Sequence, residues 1–339
     1  MLRPPIKLFA AQYGGLILCL ALISYWIFQG QRIGGNDFAN SYFGAIFFAQ
    51  GKFDVGIFDP YTFNKRIYDL GYPNLFLSYN PNPPSTAIFF VPFTFLSLDT
   101  AKLLFNILTS CLFLLSTYRL CRQLEINWSF IMLSLAIVFF IPMRNQILFG
   151  QSYFLIFVLL VEGFIAHERK KTVLASILWG VAILLKIFPA IIFLFLIIKK
   201  EWRQTLYLSM TCGVMLVISL IFQGMEVWKE YLFVVLPRNN QGEIQATYIS
   251  SYQSGLMLFK YLFIKDEYLN PDPLIDSVTL FKTSLVLFKA AVVGCCTIML
   301  LYRKDILSFG VALLCGMLIS PYGSTYSTLL LLILLVGIQ

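Results

Sequence analysis

The sequence predicts an all-α integral membrane protein, a single polytopic helical bundle over residues 1–339. Three observations lead there. Apolar residues make up 59% of the 339 and charged residues 12%, with a mean hydropathy of +0.79, more than one soluble core can hide. The apolar residues fall into runs close to the roughly 20 that cross a bilayer as a helix. Lys and Arg gather in the short turns between those runs, the pattern of cytoplasmic loops. The net charge of +8 is therefore topological, and nucleic acid is not expected as a partner.

The first run, near 8–29, follows Arg3 and Lys7 and lacks a small-residue cleavage site, so it reads as a retained helix with a cytoplasmic N-terminus. Further spans are expected near 100–121, 127–143, 150–166, 204–223, 282–302, 305–320 and 324–338. The stretch 172–199 is longer than one crossing and is interrupted by Lys186 and Pro189 in ILLKIFPAII. Proline removes a backbone donor and clashes with the preceding turn, so two short helices should meet at Lys186. The total is about ten crossings. Only if 172–199 crosses twice do Arg3 and Lys7, Arg119 and Arg122, Arg169 to Lys171, Lys199 with Lys200 and Arg203, and Arg303 with Lys304 share the cytoplasmic side. Two external loops, near 30–85 and 224–281, then lie over the opposite face, the first of them helical in NSYFGAIFFAQ. The segment PPSTAIFFVPFTF, near 83–95, is short and proline-broken, which suits a re-entrant or juxtamembrane helix. No tandem repeat or low-complexity linker is present. The chain ends inside an apolar run at Gln339, which leaves room for a longer natural protein.

Several chemistries lack material. The seven cysteines lie in or beside apolar runs without a Cys-x-x-Cys, so no disulfides are expected. The one histidine, His167, sits in the basic turn HERKK, which argues against a His-based metal site or a Ser-His-Asp relay. No metal and no cofactor are expected. The 33 Phe and 18 Tyr suit interfacial belts and pockets for amphiphilic ligands.

The polar residues near the apolar runs carry the functional argument. Asp37, in GGNDFANSYF, is a lone carboxylate about eight residues beyond the first run. Two roles fit it: the N-cap of the following helix, or a general base in apolar surroundings. Arg144 is either an interfacial anchor or a phosphate ligand, since guanidinium offers a planar fork of donors. Lys186 at a broken helix either pairs with an acid or freed carbonyls or touches an anionic ligand. A lysine at the centre of an intact span would cost about 2.5–3.5 kcal/mol. Asn145 and Gln151 bridge helices or bind sugar hydroxyls. Asp54 and Asp59, at turns such as FDPY, read as structural acids. In PRNNQGEIQATYISSYQSG a solvated loop is the plain reading, with Arg238 and Tyr252 available to face an acceptor.

These pieces occur in a particular order: a first helix, then G-x-D-F with Tyr42, GKFD (Gly51 to Asp54), and SYNPNPP containing Asn80 and ending at Pro83-Pro84. There follow R-N-Q-x-x-x-G-Q (Arg144 to Gln151), G-x-x-x-x-x-K-I-F-P (Gly180 to Pro189) before KKEWR, SYQS (Ser251 to Ser254), and SPYGSTY (Ser320 to Tyr326). The order resembles glycosyltransferase family 87, membrane enzymes of the GT-C class that use polyprenyl-phosphate sugars. The resemblance implies a GT-C-like fold, an Asp base corresponding to Asp37, and an active site on the non-cytoplasmic face of the plasma (inner) membrane. Some members carry a histidine after the last Ser-Pro. Tyr326 stands there in this chain, which leaves sugar and acceptor open.

The expected reaction moves mannose or another sugar, with inversion, from a polyprenyl-phosphate-sugar donor to a hydroxyl of a glycolipid or glycan acceptor. Asp37 would be the base. Arg144, Lys186, Asn145, Gln151 and Tyr326 would hold the donor phosphate or sugar, and Tyr42, Asn80, Arg238 and Tyr252 would line the acceptor side. Cationic side chains can balance a monophosphate leaving group without a metal. The rival class is a transporter or a non-catalytic protein that binds lipid-linked sugars, because broken helices with a lysine also mark transporter sites.

Overall fold

The computed structural model describes residues 4–33, 36–244, 248, 253–302 and 305–339. Arg3, Gly34, Gly35, Ser251, Tyr252, Arg303 and Lys304, on which parts of the topology and motif readings rest, lie outside the described residues. Among the described residues the fold is helical, with one isolated β-bridge between Asp266 and Asn270.

Helix α1 (Pro4–Arg32) carries the first apolar run, and α2 (Asn36–Ala49) follows within four residues. Phe38, Ala39, Tyr42, Phe43, Ala45 and Phe47 of α2 are buried, and Phe38 meets Phe90, Phe93 and Phe105 with ring centroids 5.3–6.2 Å apart. Asp54 caps a 3-10 turn (Val55–Phe58) by accepting from Gly56 N, and pairs with Arg66 at 2.8 Å. Asp59 caps α3 (Pro60–Asp69) by accepting from Thr62 N at 2.9 Å, with Pro60 in the first turn where its missing N–H does no harm. Both acids therefore hold turns. Helix α4 (Thr86–Phe90) and a 3-10 turn (Val91–Phe95) give only ten residues of helix before α5 (Leu98–Gln123), too short for a crossing.

Beyond α5 come α6 (Trp128–Ile137), α7 (Phe140–Phe149), α8 (Tyr153–Glu168) and α9 (Thr172–Leu185). A 3-10 turn (Phe188–Ala190) leads into α10 (Ile191–Ile198) and α11 (Trp202–Gln223). Helix α12 (Met225–Glu230), a π-helical turn (Tyr231–Val235) and α13 (Leu236–Asn240) form one continuous segment. Helices α14 (Gly255–Phe263), α15 (Val278–Tyr302) and α16 (Ile306–Ile319), a 3-10 turn (Thr325–Leu330) and α17 (Leu331–Ile338) complete the chain.

Among the described residues four helices are long and apolar enough to cross a bilayer: α1 from Tyr13, α5, α11 and α15. The α6–α7 pair makes a fifth if its 71° bend is counted within one span. Most windows of α11 and α15 lie outside the packed interior, 11% and 17% buried, so their apolar sides face outward as lipid-facing helices do. The remaining apolar segments are shorter than the ten-crossing reading supposed. A 14-residue helix such as α9 or α16 is about 21 Å long, against a hydrocarbon core of about 30 Å. Hydropathy sums residues without registering where the backbone turns, and turns fall inside these runs. The expected span 127–143 is one such case: the chain bends at Val138–Phe139, and α7 continues to Phe149.

The break after α9 is specified by side chains from far away. Lys186 is extended (φ −151°, ψ 129°), which leaves the last α9 carbonyls without helical partners. Ser85 Oγ donates to Leu184 O at 2.7 Å and Thr86 Oγ1 to Leu185 O at 3.1 Å. The PNPP strap before Ser85 is held in turn. Gln223 Nε2 donates to Pro84 O at 2.6 Å, and the Tyr79 hydroxyl donates to Pro83 O at 3.0 Å.

Candidate active site

A cavity of about 440 Å³ opens where α2, the PNPP strap, the α7–α8 turn, the Lys186 break, α13 and the segment 316–326 meet. Asp37 lies on its wall, in the first turn of α2, where the positive end of the helix dipole favours a carboxylate. Gln151 Nε2 donates to Asp37 Oδ2 at 2.5 Å. Burial pushes the Asp37 carboxyl above the usual carboxylate range, while the Gln151 hydrogen bond and the charges of Lys186 and Lys102 pull the other way.

Gln151 is placed by a tight turn. Helix α7 ends at Gly150 in the left-handed region (φ +64°), where a Cβ would also stand 2.7 Å from Phe38 Cβ, so both conformation and space require glycine. Gln146, fully buried, ties the turn together: its Nε2 donates to Gln151 O and its Oε1 accepts from Tyr153 N.

Lys186 faces the same cavity. Its Nζ lies 5.6 Å from the centroid of the Tyr153 ring, and it forms no ion pair among the described residues. Tyr153 is sandwiched between Phe188 and Tyr326, with centroids 6.0 and 5.3 Å away. Phe90, Ile187, Ile191 and Ile319 add apolar wall. The amides of Asn80, Asn82, Asn239 and Asn240 form a polar wall. Asn80 Nδ2 donates to Phe58 O at 2.7 Å, and the buried Oδ1 atoms of Asn80 and Asn239 have no protein partner.

Of the residues expected from the sequence, Asp37, Gln151, Lys186, Tyr326 and Asn80 come together in this cavity. Arg144 and Asn145 do not line it. Arg144 is exposed, and Asn145 Nδ2 donates to Thr325 Oγ1 at 2.8 Å, next to Tyr326. Tyr42 is corrected from acceptor wall to packing: it is buried, and its hydroxyl is engaged with Leu96 O at 2.7 Å. Arg238 is also away from the wall, pointing to Glu243 at 3.5 Å while its neighbours Asn239 and Asn240 line the cavity. Tyr252 lies outside the described residues.

Sequence reading missed Lys102, Tyr153 and Asn239. Lys102 is 2% exposed, and its Nζ donates to Gly30 O at 2.8 Å and Ile33 O at 3.1 Å, at the end of α1 just before Asp37. A lysine inside LDTAKLLFN was the available signal, but it passed for a span end. His167, expected to mark only topology, packs against Trp179 with centroids 5.5 Å apart.

The positions quoted as SYQS and SPYGSTY dock on one another: Gln253 N donates to Gly323 O at 2.7 Å and Ser254 Oγ to Pro321 O at 2.6 Å. The profile of Glycosyltransferase family 87 matches residues 80–321, more than two thirds of the chain, leaving Asp37 and Tyr326 just outside it. No curated protein and no solved structure matches the chain. A family profile that covers the PNPP strap, the α7–α8 turn, the Lys186 break and the second external loop spans most of the cavity wall, and the chain belongs to glycosyltransferase family 87.

Proposed function

We propose that this membrane glycosyltransferase transfers a sugar from a polyprenyl-phosphate donor to a hydroxyl of a glycolipid or glycan, with inversion at the anomeric carbon. The observation that carries the reading is the meeting of one carboxylate, Asp37, and one unpaired ammonium, Lys186, in a single cavity with one apolar and one amide-rich wall. The prenyl tail lies along Phe90, Ile187, Ile191 and Ile319, and Lys186 faces the phosphate. Asp37 takes the proton of the acceptor hydroxyl as its oxygen attacks the anomeric carbon, and the bond from that carbon to the phosphate oxygen breaks. Lys186 holds the negative charge that develops on the departing lipid phosphate. Gln151 fixes the Asp37 carboxylate, with its second oxygen turned toward the acceptor. Arg144, at the rim beside Asn145, attracts the anionic headgroup as it approaches.

In this reading the cavity opens away from the cytoplasm in the plasma membrane, and the N-terminus is cytoplasmic. The short and broken helices complete a GT-C-like bundle of about ten passes. Support comes from the clustering of Lys and Arg in the opposite turns.

Purified protein incubated with radiolabelled polyprenyl-phosphate mannose, glucose or arabinose and candidate acceptors should transfer one of these sugars. Asp37→Asn should reduce that transfer at least about 10³-fold while the protein remains monodisperse. Near-normal transfer by the Asn variant removes Asp37 from the role of base. Donor binding without transfer by the unaltered protein would instead identify a non-catalytic sugar-lipid binder.

A further inference from the structure

A second cavity, of about 370 Å³, is lined by Arg119, Arg122, Gln123 and Arg169. It stands at the opposite end of two helices that also reach the first. Lys102, which holds the chain next to Asp37, and Arg119 are 17 residues apart on α5, about 25 Å. Tyr153 opens α8 in the first cavity, and Arg169 is its C-cap in the second.

The arginines are held in place. Ser116 Oγ donates to Glu162 Oε1 at 2.9 Å, and Glu162 Oε2 pairs with Arg119 at 3.1 Å. Arg169 Nε donates to Gln123 Oε1 at 3.2 Å. Neither Arg122 nor Arg169 forms an ion pair among the described residues. Arg119 is offset by Glu162, so two uncompensated guanidinium charges converge on one concavity. The C-termini of α5 and α8 end here and contribute roughly −0.5 each, leaving about one positive charge. On the flanking turns Glu125 and Glu168 are matched by Lys170 and Lys171.

The depth of the cavity is marked independently. Tyr118, one residue before Arg119, meets Trp128 edge-on at 5.8 Å, and Trp128 meets Tyr13 at 6.0 Å. A Tyr-Trp-Tyr cluster at the end of apolar helices is the signature of the headgroup level. Leu115 and Tyr118 are exposed on the outer side of α5, where acyl chains would run.

We propose that Arg119, Arg122 and Arg169 form a binding site for a phosphate group carrying about one negative charge, at the membrane end opposite Asp37. Two sources share that chemistry: the phosphodiester of an anionic phospholipid and free inorganic phosphate. The planar forks of three guanidiniums suit its oxygens, and a zwitterionic headgroup brings a cation that the site repels. This site is separate from the donor phosphate at Lys186, and its test needs no sugar substrate.

Delipidated protein in detergent is mixed with phosphatidylglycerol, phosphatidylcholine or sodium phosphate, and phenylglyoxal modification of Arg122 and Arg169 is followed by mass spectrometry. Phosphatidylglycerol should slow modification at least about fivefold more than phosphatidylcholine. Protection by sodium phosphate but not by phosphatidylglycerol supports the site and identifies the occupant as a soluble anion. Equal modification under all three conditions overturns the site. In native mass spectrometry an Arg122→Gln/Arg169→Gln variant should lose at least about fivefold of its retained phosphatidylglycerol while staying monodisperse. Undiminished retention of that lipid by the variant also overturns the proposal.

Discussion

Gln151 Nε2 donates to Asp37 Oδ2 across 114 positions of sequence, joining the turn after α7 to the first turn of α2. The bond favours the ionised carboxylate against the burial that opposes it. Gln151→Leu removes that support and raises the Asp37 pKa further. A base acts only when deprotonated, so activity falls as pH drops through its pKa, and in this variant the acidic limb moves to higher pH. The pH dependence of kcat/KM should show it, with a larger loss at pH 6 than at pH 8. A hydrogen bond to a charged group is worth about 1.5–3 kcal/mol, so the loss on the acidic side should be roughly 10–100-fold.

Lys186 makes no ion pair within the protein, so removing its charge leaves no buried carboxylate orphaned by a broken salt bridge. Lys186→Met should keep the thermal midpoint of the parent or raise it, while sugar transfer from the lipid donor falls roughly 100-fold. Lys186→Arg should recover part of that loss. A parallel fall in midpoint and activity would point to a structural lysine instead.

Lys102 is the reverse case. Its ammonium satisfies Gly30 O and Ile33 O where α1 ends, and Lys102→Met strands both carbonyls. An unsatisfied buried group costs about 1–3 kcal/mol, so the variant should unfold at a measurably lower temperature. Loss of a positive charge from the surroundings of Asp37 also raises that carboxyl's pKa. The acidic limb should move in the same direction as in Gln151→Leu.

Gly150→Ala adds a Cβ 2.7 Å from Phe38 Cβ and a left-handed conformation worth about 1–2 kcal/mol of strain. Phe38 follows Asp37, so the displacement is passed to the carboxylate. Thermal unfolding should show a loss of at least about 1 kcal/mol, with activity falling further than stability alone explains.

The sequence carried the helical membrane class through its apolar runs, the interruption at Lys186 through Pro189, and the structural acids Asp54 and Asp59 through their turns. It located Asp37, Gln151, Lys186, Tyr326 and Asn80, which share one cavity, because a polar residue beside a long apolar run needs a reason to be there. The bend at Val138–Phe139 left no proline or glycine to signal it. Lys102 was hidden by its position one turn into α5, where a snorkelling side chain looks the same in sequence. Asn239 reaches the cavity because a π-helical turn precedes α13, and no residue type announces that register change. Tyr42 misled because a tyrosine beside Asp37 in sequence points, one turn along the helix, at Leu96.

The bonds from Ser85 and Thr86 to the end of α9 span 99 positions. During synthesis the strap leaves the ribosome well before its partners exist, and Asp37 precedes Lys186 by about 150 residues, a lag of roughly 7–30 s at 5–20 residues per second. Until then the nascent chain must shelter a carboxylate and a bare strap without the lysine and carbonyls that complete them. Maturation of this enzyme is therefore a closing step late in translation, and a chain halted before α9 would be inert however well its first helices had inserted.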